Sequence, residues 1–335
     1  MNNKHLRKNP YEIRPIPEEI SIQLKKSGNK FDVDQVGPKK YMVWPCYRKY
    51  KDEIYNFSIK TNDVWVITFG RSGTTMMTEM VWQIANNMDF KTGFKVPLIA
   101  RVPYFEFPLA NDHRKESLLK EHKNDPEKLT TLNSILTPEW EKTEYPETRI
   151  YKCHLPISLL PPELPKEGKI LYVVRNPKDT AVSSYHFSKN FSDQPPFEQY
   201  WDLFEKGLLW STFFDHCLEA WNIRNQENVL FLFYEDIVKD MRSTILKVCK
   251  FLGKSYSDAE INKLVEHMKF DNFKKNNSVN KDYSDFFPKS DRDFVRQGKV
   301  DSYKELFTKE LNERANKWIR ENYLKTDMRF PTMPE

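Results

Sequence analysis

The run Thr68–Met76, TFGRSGTTM, has the residue types of an anion cradle. Gly70 and Gly73 permit backbone angles and close approaches that a side chain blocks. Thr74 and Thr75 add hydroxyl donors, and Arg71 adds a permanent positive charge. Loop amides and the first turn of a following helix then point at one spot, where a phosphate or sulfate is stabilised. A plain strand-to-helix turn is the other account, and composition alone does not separate the two. GxxxxGK[ST] is absent, so this is not a Walker A loop and the ligand is not named by it.

Further along stand other groups able to handle charge or protons. His154 can take a proton from a hydroxyl as a neutral imidazole. Lys152, two residues earlier, leans to the same face if the segment is a strand. Arg175 can grip a phosphate with two parallel hydrogen bonds. Ser183 sits two helical turns beyond it, where an ordinary polar position is the competing account. Phe294–Lys299, FVRQGK, puts Gly298 beside cations, as a second phosphate site or a basic turn would.

These residues need elements to hold them. Val64–Thr68 reads as a strand, followed by a helix from Thr75 to about Met88 with apolar residues at helical spacing. TRIYKC (148–153) and the apolar runs KILYVV (169–174) and VLFLF (229–233) read as further strands, the latter two buried. Helices are expected from about Thr180, over 197–225, 239–252 and 258–268, and from about Ser302 to Tyr323. Residues 90–147 and 271–298 read as irregular. The alternation predicts an α/β fold: a single domain with a central parallel sheet flanked by helices and a P-loop-like binding loop. Ligands of such sheets bind beyond the carboxyl ends of the strands. The glycine loop, His154, Arg175 and Tyr234 each come directly after a strand, so all four fall on one sheet edge.

Composition narrows the class. The chain has 335 residues, 39% hydrophobic and 14% aromatic, enough for a large core or an enclosed apolar pocket. Net charge is +5, from 53 basic and 48 acidic residues, too mild and evenly spread for a nucleic-acid partner. Cys46, Cys153, Cys217 and Cys249 have no metal-type spacing, so free thiols in a reducing compartment and no metal are expected. The polar N-terminus lacks a signal sequence, and no apolar run is long enough to span a membrane. A cytoplasmic protein is expected. Residues 1–40 read as a polar arm, 41–328 as the main domain and 329–335 as a tail.

Five blocks, taken in order, resemble the cytosolic sulfotransferase family. TFGRSGTTM is similar to TYPKSGTTW, and YKCHLPISLLP to KTHLPxxLLP. YVVRNPKDTAVSSYHF resembles YVARNxKDxAVSxYHF; FLFYEDIVKD and FVRQGKVDSYKELFT resemble the remaining two. The loop and the ending KTDMRFPTMPE resemble insect members. The resemblance implies 3′-phosphoadenosine 5′-phosphosulfate as donor and adenosine 3′,5′-bisphosphate (PAP) as product. Arg71, Ser72, Gly73, Thr74 and Thr75 would hold the phosphosulfate, and Arg175, Ser183, Arg296, Gln297 and Gly298 the 3′-phosphate. Met76, Tyr234 and Phe270 would contact the adenine. His154 would deprotonate the acceptor hydroxyl, with Lys152 and Arg71 stabilising charge on the transferring group. The acceptor would be a small lipophilic alcohol or phenol, lined by 102–108, Phe187, Phe191 and Tyr200.

The chain departs from the family pattern at four points. Arg71 replaces a lysine and cannot readily release a proton. Met76 replaces a tryptophan, leaving a flexible thioether against the adenine. Gln297 replaces a lysine, removing a charge. Lys309 replaces a valine in the motif KxxxTVxxxE, here Lys304–Glu313, which makes a homodimer built that way doubtful. Two alternatives stay open: dehydration through a transient sulfate ester, and a lipophile-binding protein without transfer activity.

Overall fold

The computed structural model describes residues 6–28, 32–142, 146, 148–280 and 298–333. Near the start of the chain, Ile13–Pro15 (β1), Asp34–Val36 (β2) and Tyr41–Val43 (β3) pair as an antiparallel sheet. This sheet spans position 40. A helix, Glu18–Lys26, sits between its first two strands and packs Leu24 against Met42, Leu203 and Leu208.

The main sheet is parallel, ordered β5–β4–β6–β7, with Val64–Thr68 as β4, Ile150–Cys153 as β5, Lys169–Val174 as β6 and Val229–Phe233 as β7. In β4 and β6 alternate residues serve opposite faces. Trp65, Ile67, Ile170 and Tyr172 enter one core, with the helices Pro177–Ser188, Phe213–Asn222 and Lys309–Tyr323. Val64, Val66, Leu171 and Val173 enter the other, with Thr74–Ala85, Met241–Leu252 and Asp258–Met268. Both faces are therefore covered, which is why these strands are apolar throughout. The central parallel sheet flanked by helices matches the expected fold class.

Several local expectations need correction. Residues 90–142 are not irregular: short helices occupy Phe90–Lys95, Leu98–Arg101, Phe107–Ala110, Lys115–Glu121 and Pro126–Leu136. Side-chain caps start two of them, Asp89 accepting from the Thr92 amide and Asp125 from that of Lys128. The expected helix over 197–225 is two, Phe197–Glu205 and Phe213–Asn222. Gly207 breaks it, with φ +70° and Thr212 so close that a Cβ would fall 2.7 Å from its methyl. Residues 270–280 are helical too, in Phe270–Lys275 and Asn277–Asn280. The last helix starts at Lys309, capped by Thr308, after a separate 3-10 turn at Ser302–Glu305. The altered motif Lys304–Glu313 covers that turn and helix start, and Lys309 is exposed.

All four cysteines are free thiols. Among the described residues no helix is long and apolar enough to cross a membrane, and no cluster of His, Cys, Asp or Glu is placed to hold a metal ion.

Candidate active site

The loop after β4 turns through two left-handed residues, Arg71 (φ +71°) and Gly73 (φ +100°), into the helix Thr74–Ala85. Gly73 is required twice over. Its φ is strained for any side chain, and a Cβ would lie 2.6 Å from the Tyr234 ring. The helix start has no side-chain cap, so its amides are available to an anion. Thr74 Oγ1 lies 2.7 Å from Thr68 Oγ1, fastening the helix start to the strand end. Ser72 is fully buried, and its Oγ has no hydrogen-bond partner among the described residues.

The side chains expected to hold phosphates converge on this loop. Arg71 Nε donates to Ser183 Oγ at 3.3 Å, and its guanidinium lies 4.5 Å from the Phe187 ring centre. Arg175, just past β6, is buried and lies 4.6 Å from the Tyr234 ring centre. One of its terminal nitrogens donates to the Lys299 carbonyl at 2.8 Å, while Nε is buried without a hydrogen-bond partner among the described residues. Asp179 secures the same region by accepting from the amides of Asp301 (2.9 Å) and Tyr303 (2.8 Å). Gly298 (φ +63°) abuts Phe270, where a Cβ would be 2.4 Å from the ring.

His154 lies just past β5. Its Nδ1 is 3.0 Å from the Thr68 carbonyl, which can only accept, so Nδ1 carries the proton. That leaves Nε2 unprotonated, and it has no hydrogen bond among the described residues. Burial, then the nearby Lys152 charge, pushes the imidazole down to about 3, so it is neutral at ordinary pH. This is the state a general base needs. Lys152 is buried, with Nζ 4.5 Å from the Tyr104 ring centre.

One cavity of about 780 Å³ joins these groups. Its wall includes Arg71, Gly73, Thr74, Thr75, Met76, Lys152, His154, Arg175, Ser183, Tyr234, Phe270 and Gly298. Ser72 is not part of that wall. Arg296 and Gln297 lie outside the described residues. Tyr104, Phe107, Phe187, Phe191 and Tyr200 line the cavity as expected, whereas Val102 and Phe105 are core residues instead.

Two residues escaped the sequence reading. Glu106 is buried and accepts the His154 amide proton; burial pushes its carboxyl up to about 7. A lone acid inside VPYFEFP was the only signal. His216 donates from Nε2 to the His154 carbonyl at 2.9 Å and pairs through Nδ1 with the Tyr172 hydroxyl at 2.6 Å. Nothing in its helix marks it.

A family model described as "Sulfotransferase domain" matches residues 61–327. Bovine sulfotransferase 1E1 is 30% identical over 300 residues, covering 86% of this chain and 93% of that protein. Luciferin sulfotransferase of Photinus pyralis is 29% identical, covering 86% of this chain and 78% of that protein. A crystal structure of retinol dehydratase with androsterone and the inactive cofactor PAP is 34% identical. It superposes with a TM-score of 0.86 over 97% of this chain and 99% of that one. Mouse sulfotransferase SULT7A1 with PAP, at 21% identity and TM-score 0.61, shares the fold.

Proposed function

The chain belongs to the sulfotransferase family, and on that premise we propose that it moves the sulfuryl group of 3′-phosphoadenosine 5′-phosphosulfate to the hydroxyl of a small lipophilic acceptor. The observation that carries this reading is the shared cavity, onto which both the Gly73 loop and the neutral His154 open. The loop amides with Arg71, Ser72, Thr74 and Thr75 would take the phosphosulfate. Arg175 and Ser183 would take the 3′-phosphate, with Arg296, Gln297 and Gly298 beside them, and Met76, Tyr234 and Phe270 the adenine. Arg175 Nε supports this, as a buried donor on the cavity wall with no acceptor among the described residues.

In the reaction the acceptor oxygen bonds to sulfur while the sulfur–oxygen bond to the donor phosphate breaks. PAP departs and the hydroxyl proton passes to His154 Nε2. Lys152 and Arg71 lower the energy of the negative charge spread over the transferring group. Holding donor and acceptor in line accounts for much of the rate. The aromatic wall of Tyr104, Phe107, Phe187 and Phe191 suits a lipophilic acceptor, as do the androsterone and retinol bound by the retinol dehydratase structures. Four free thiols fit a cytoplasmic setting.

Likeness to retinol dehydratase favours one variant of the reading, in which an allylic sulfate eliminates before release. The test is twofold. PAP should raise the melting temperature, and labelled sulfate should reach at least one member of a panel of phenols, steroids and retinoids. No stabilisation at millimolar PAP removes the donor assignment. Tight lipophile binding without any PAP binding turns the chain into a lipophile-binding protein. Product mass separates a sulfate ester from an anhydro compound.

A further inference from the structure

We propose that Glu106 is a positioning residue for transfer: it holds the end of β5 so that His154 presents Nε2 to the acceptor, and it ties that end to the acceptor wall. The proposal rests on the sulfuryl-transfer reading of the cavity. It starts from backbone pairing. The Lys152 amide donates to the Pro103 carbonyl at 2.9 Å and the Phe105 amide donates to that of Lys152 at 2.8 Å, so 103–105 runs alongside β5 as an added ribbon. Glu106 is the next residue. Its side chain turns inward, and Oε1 accepts the His154 amide proton. The buried Cys153 thiol is a neighbour of the same carboxyl. One carboxyl thus fastens the backbone at the point where the strand ends and the base begins.

Its neighbours belong to the acceptor side. Tyr104 and Phe107 line the cavity, and the Tyr104 ring centre is 5.3 Å from that of His154. A shift of this wall moves Glu106 and, through it, the His154 backbone. The ring itself is held independently, by Thr68 at Nδ1. Glu106 therefore sets where the residue stands, and Thr68 sets how its ring turns.

The carboxyl is also poorly compensated for a packing group. It is 1% exposed, Oε2 has no hydrogen bond, and no ion pair to it exists among the described residues. The nearby Lys152 charge and the His154 amide favour the carboxylate, but burial outweighs them. Such a group beside a base in a cavity fits a site better than a core.

The experiment compares Glu106→Ala, Glu106→Asp and Glu106→Gln in the full chain. Misplacing a reacting group by about 1 Å can lower a rate about 100-fold. Single-turnover transfer by Glu106→Ala should accordingly fall about 10- to 100-fold, with PAP affinity within about twofold of wild type. Glu106→Gln keeps a carbonyl for the His154 amide and should stay within about tenfold of wild type. Glu106→Asp keeps the charge but not the reach, and should resemble alanine; it carries the test if the alanine variant does not fold. The His154 ring nitrogen resonances should shift in the alanine and aspartate variants and hold in glutamine. Wild-type rates in folded Glu106→Ala or Glu106→Asp overturn the proposal, as do unmoved His154 resonances. If wild type transfers no sulfate at all, the function reading fails, and the resonances still decide the role of Glu106.

Discussion

Two glutamates, Glu79 and Glu106, are buried to the same degree and live under opposite conditions. Glu79 lies in the helix Thr74–Ala85. Burial pushes its carboxyl up, yet His267 (2.9 Å), Arg101 (2.7 Å) and Gln83 (2.8 Å) together bring it below its ordinary value. Arg101 is itself held by the Val96 and Gly93 carbonyls and stacks 4.2 Å from the Trp82 ring centre. Glu106 has one backbone amide and the nearby Lys152 charge, which do not offset burial, and its carboxyl rises to about 7. Matched partners make Glu79 a joint. It fastens the helix behind the anion loop to Arg101, just ahead of the acceptor wall, and to His267, just ahead of Phe270. Missing partners mark Glu106 as a corner of the reacting site. Burial alone says little about a carboxyl's role; the completeness of its partners says more.

The contrast is sharpened most by removing the group that the corner serves. His154→Ala should lower kcat about 10²- to 10⁴-fold, the range for loss of a general base. PAP should still raise the melting temperature as in wild type, because the anion loop and Arg175 are untouched. Measured turnover within a few-fold of wild type would take His154 out of the mechanism and leave Glu106 nothing to position.

Glu79→Ala tests the other side. Removing one partner of a buried pair leaves an uncompensated charge, here on Arg101, and costs about 3–5 kcal/mol. Urea unfolding should show that loss, while kcat per folded molecule stays near wild type. A small change in stability with a large fall in kcat would reverse the roles assigned to the two glutamates.

The same difference in construction decides how far each region was legible in the sequence. The anion loop, His154, Arg175 and Tyr234 come directly after apolar strands, and parallel strands deliver the residues at their carboxyl ends to one edge. That inference needs only local runs. The acceptor side is built otherwise. Its helices are as short as four residues, as at Leu98–Arg101, too brief for an apolar period to show. Glu106 meets His154 across 48 positions, through a ribbon pairing that no local pattern announces. Arg71 reaching Ser183 is likewise a tertiary contact, and the left-handed backbone of Arg71 has no sequence signal of its own. Glu79 read simply as part of a helix, because His267 and Arg101 come from elements distant in the chain.

The smallest expected effect separates the two glutamates by pH. In the unfolded chain the Glu106 carboxyl titrates near its ordinary value of 4.5, and in the folded chain at about 7. Between these values the folded protein keeps a proton that the unfolded chain has released, so stability falls as pH rises through the window. Above it both states are ionised, and the folded state bears the full penalty, about 3 kcal/mol at most. His154 acts in the opposite sense. Its imidazole is depressed to about 3 from 6.5, so the unfolded chain gains the proton first and stability falls as pH drops through that interval. The two slopes oppose each other in wild type, which makes a single profile uninformative. The difference between wild type and Glu106→Gln isolates the carboxyl, because His154 is present in both. Glu106→Gln should be more stable than wild type by about 1–3 kcal/mol at pH 8, the lower figure allowing for a weaker bond from the His154 amide to a neutral carbonyl, and the gain should shrink toward pH 4.5. A variant that is less stable at pH 8, with a difference independent of pH, would mean that the Glu106 carboxylate is fully compensated, and that the corner is a second joint of the Glu79 kind.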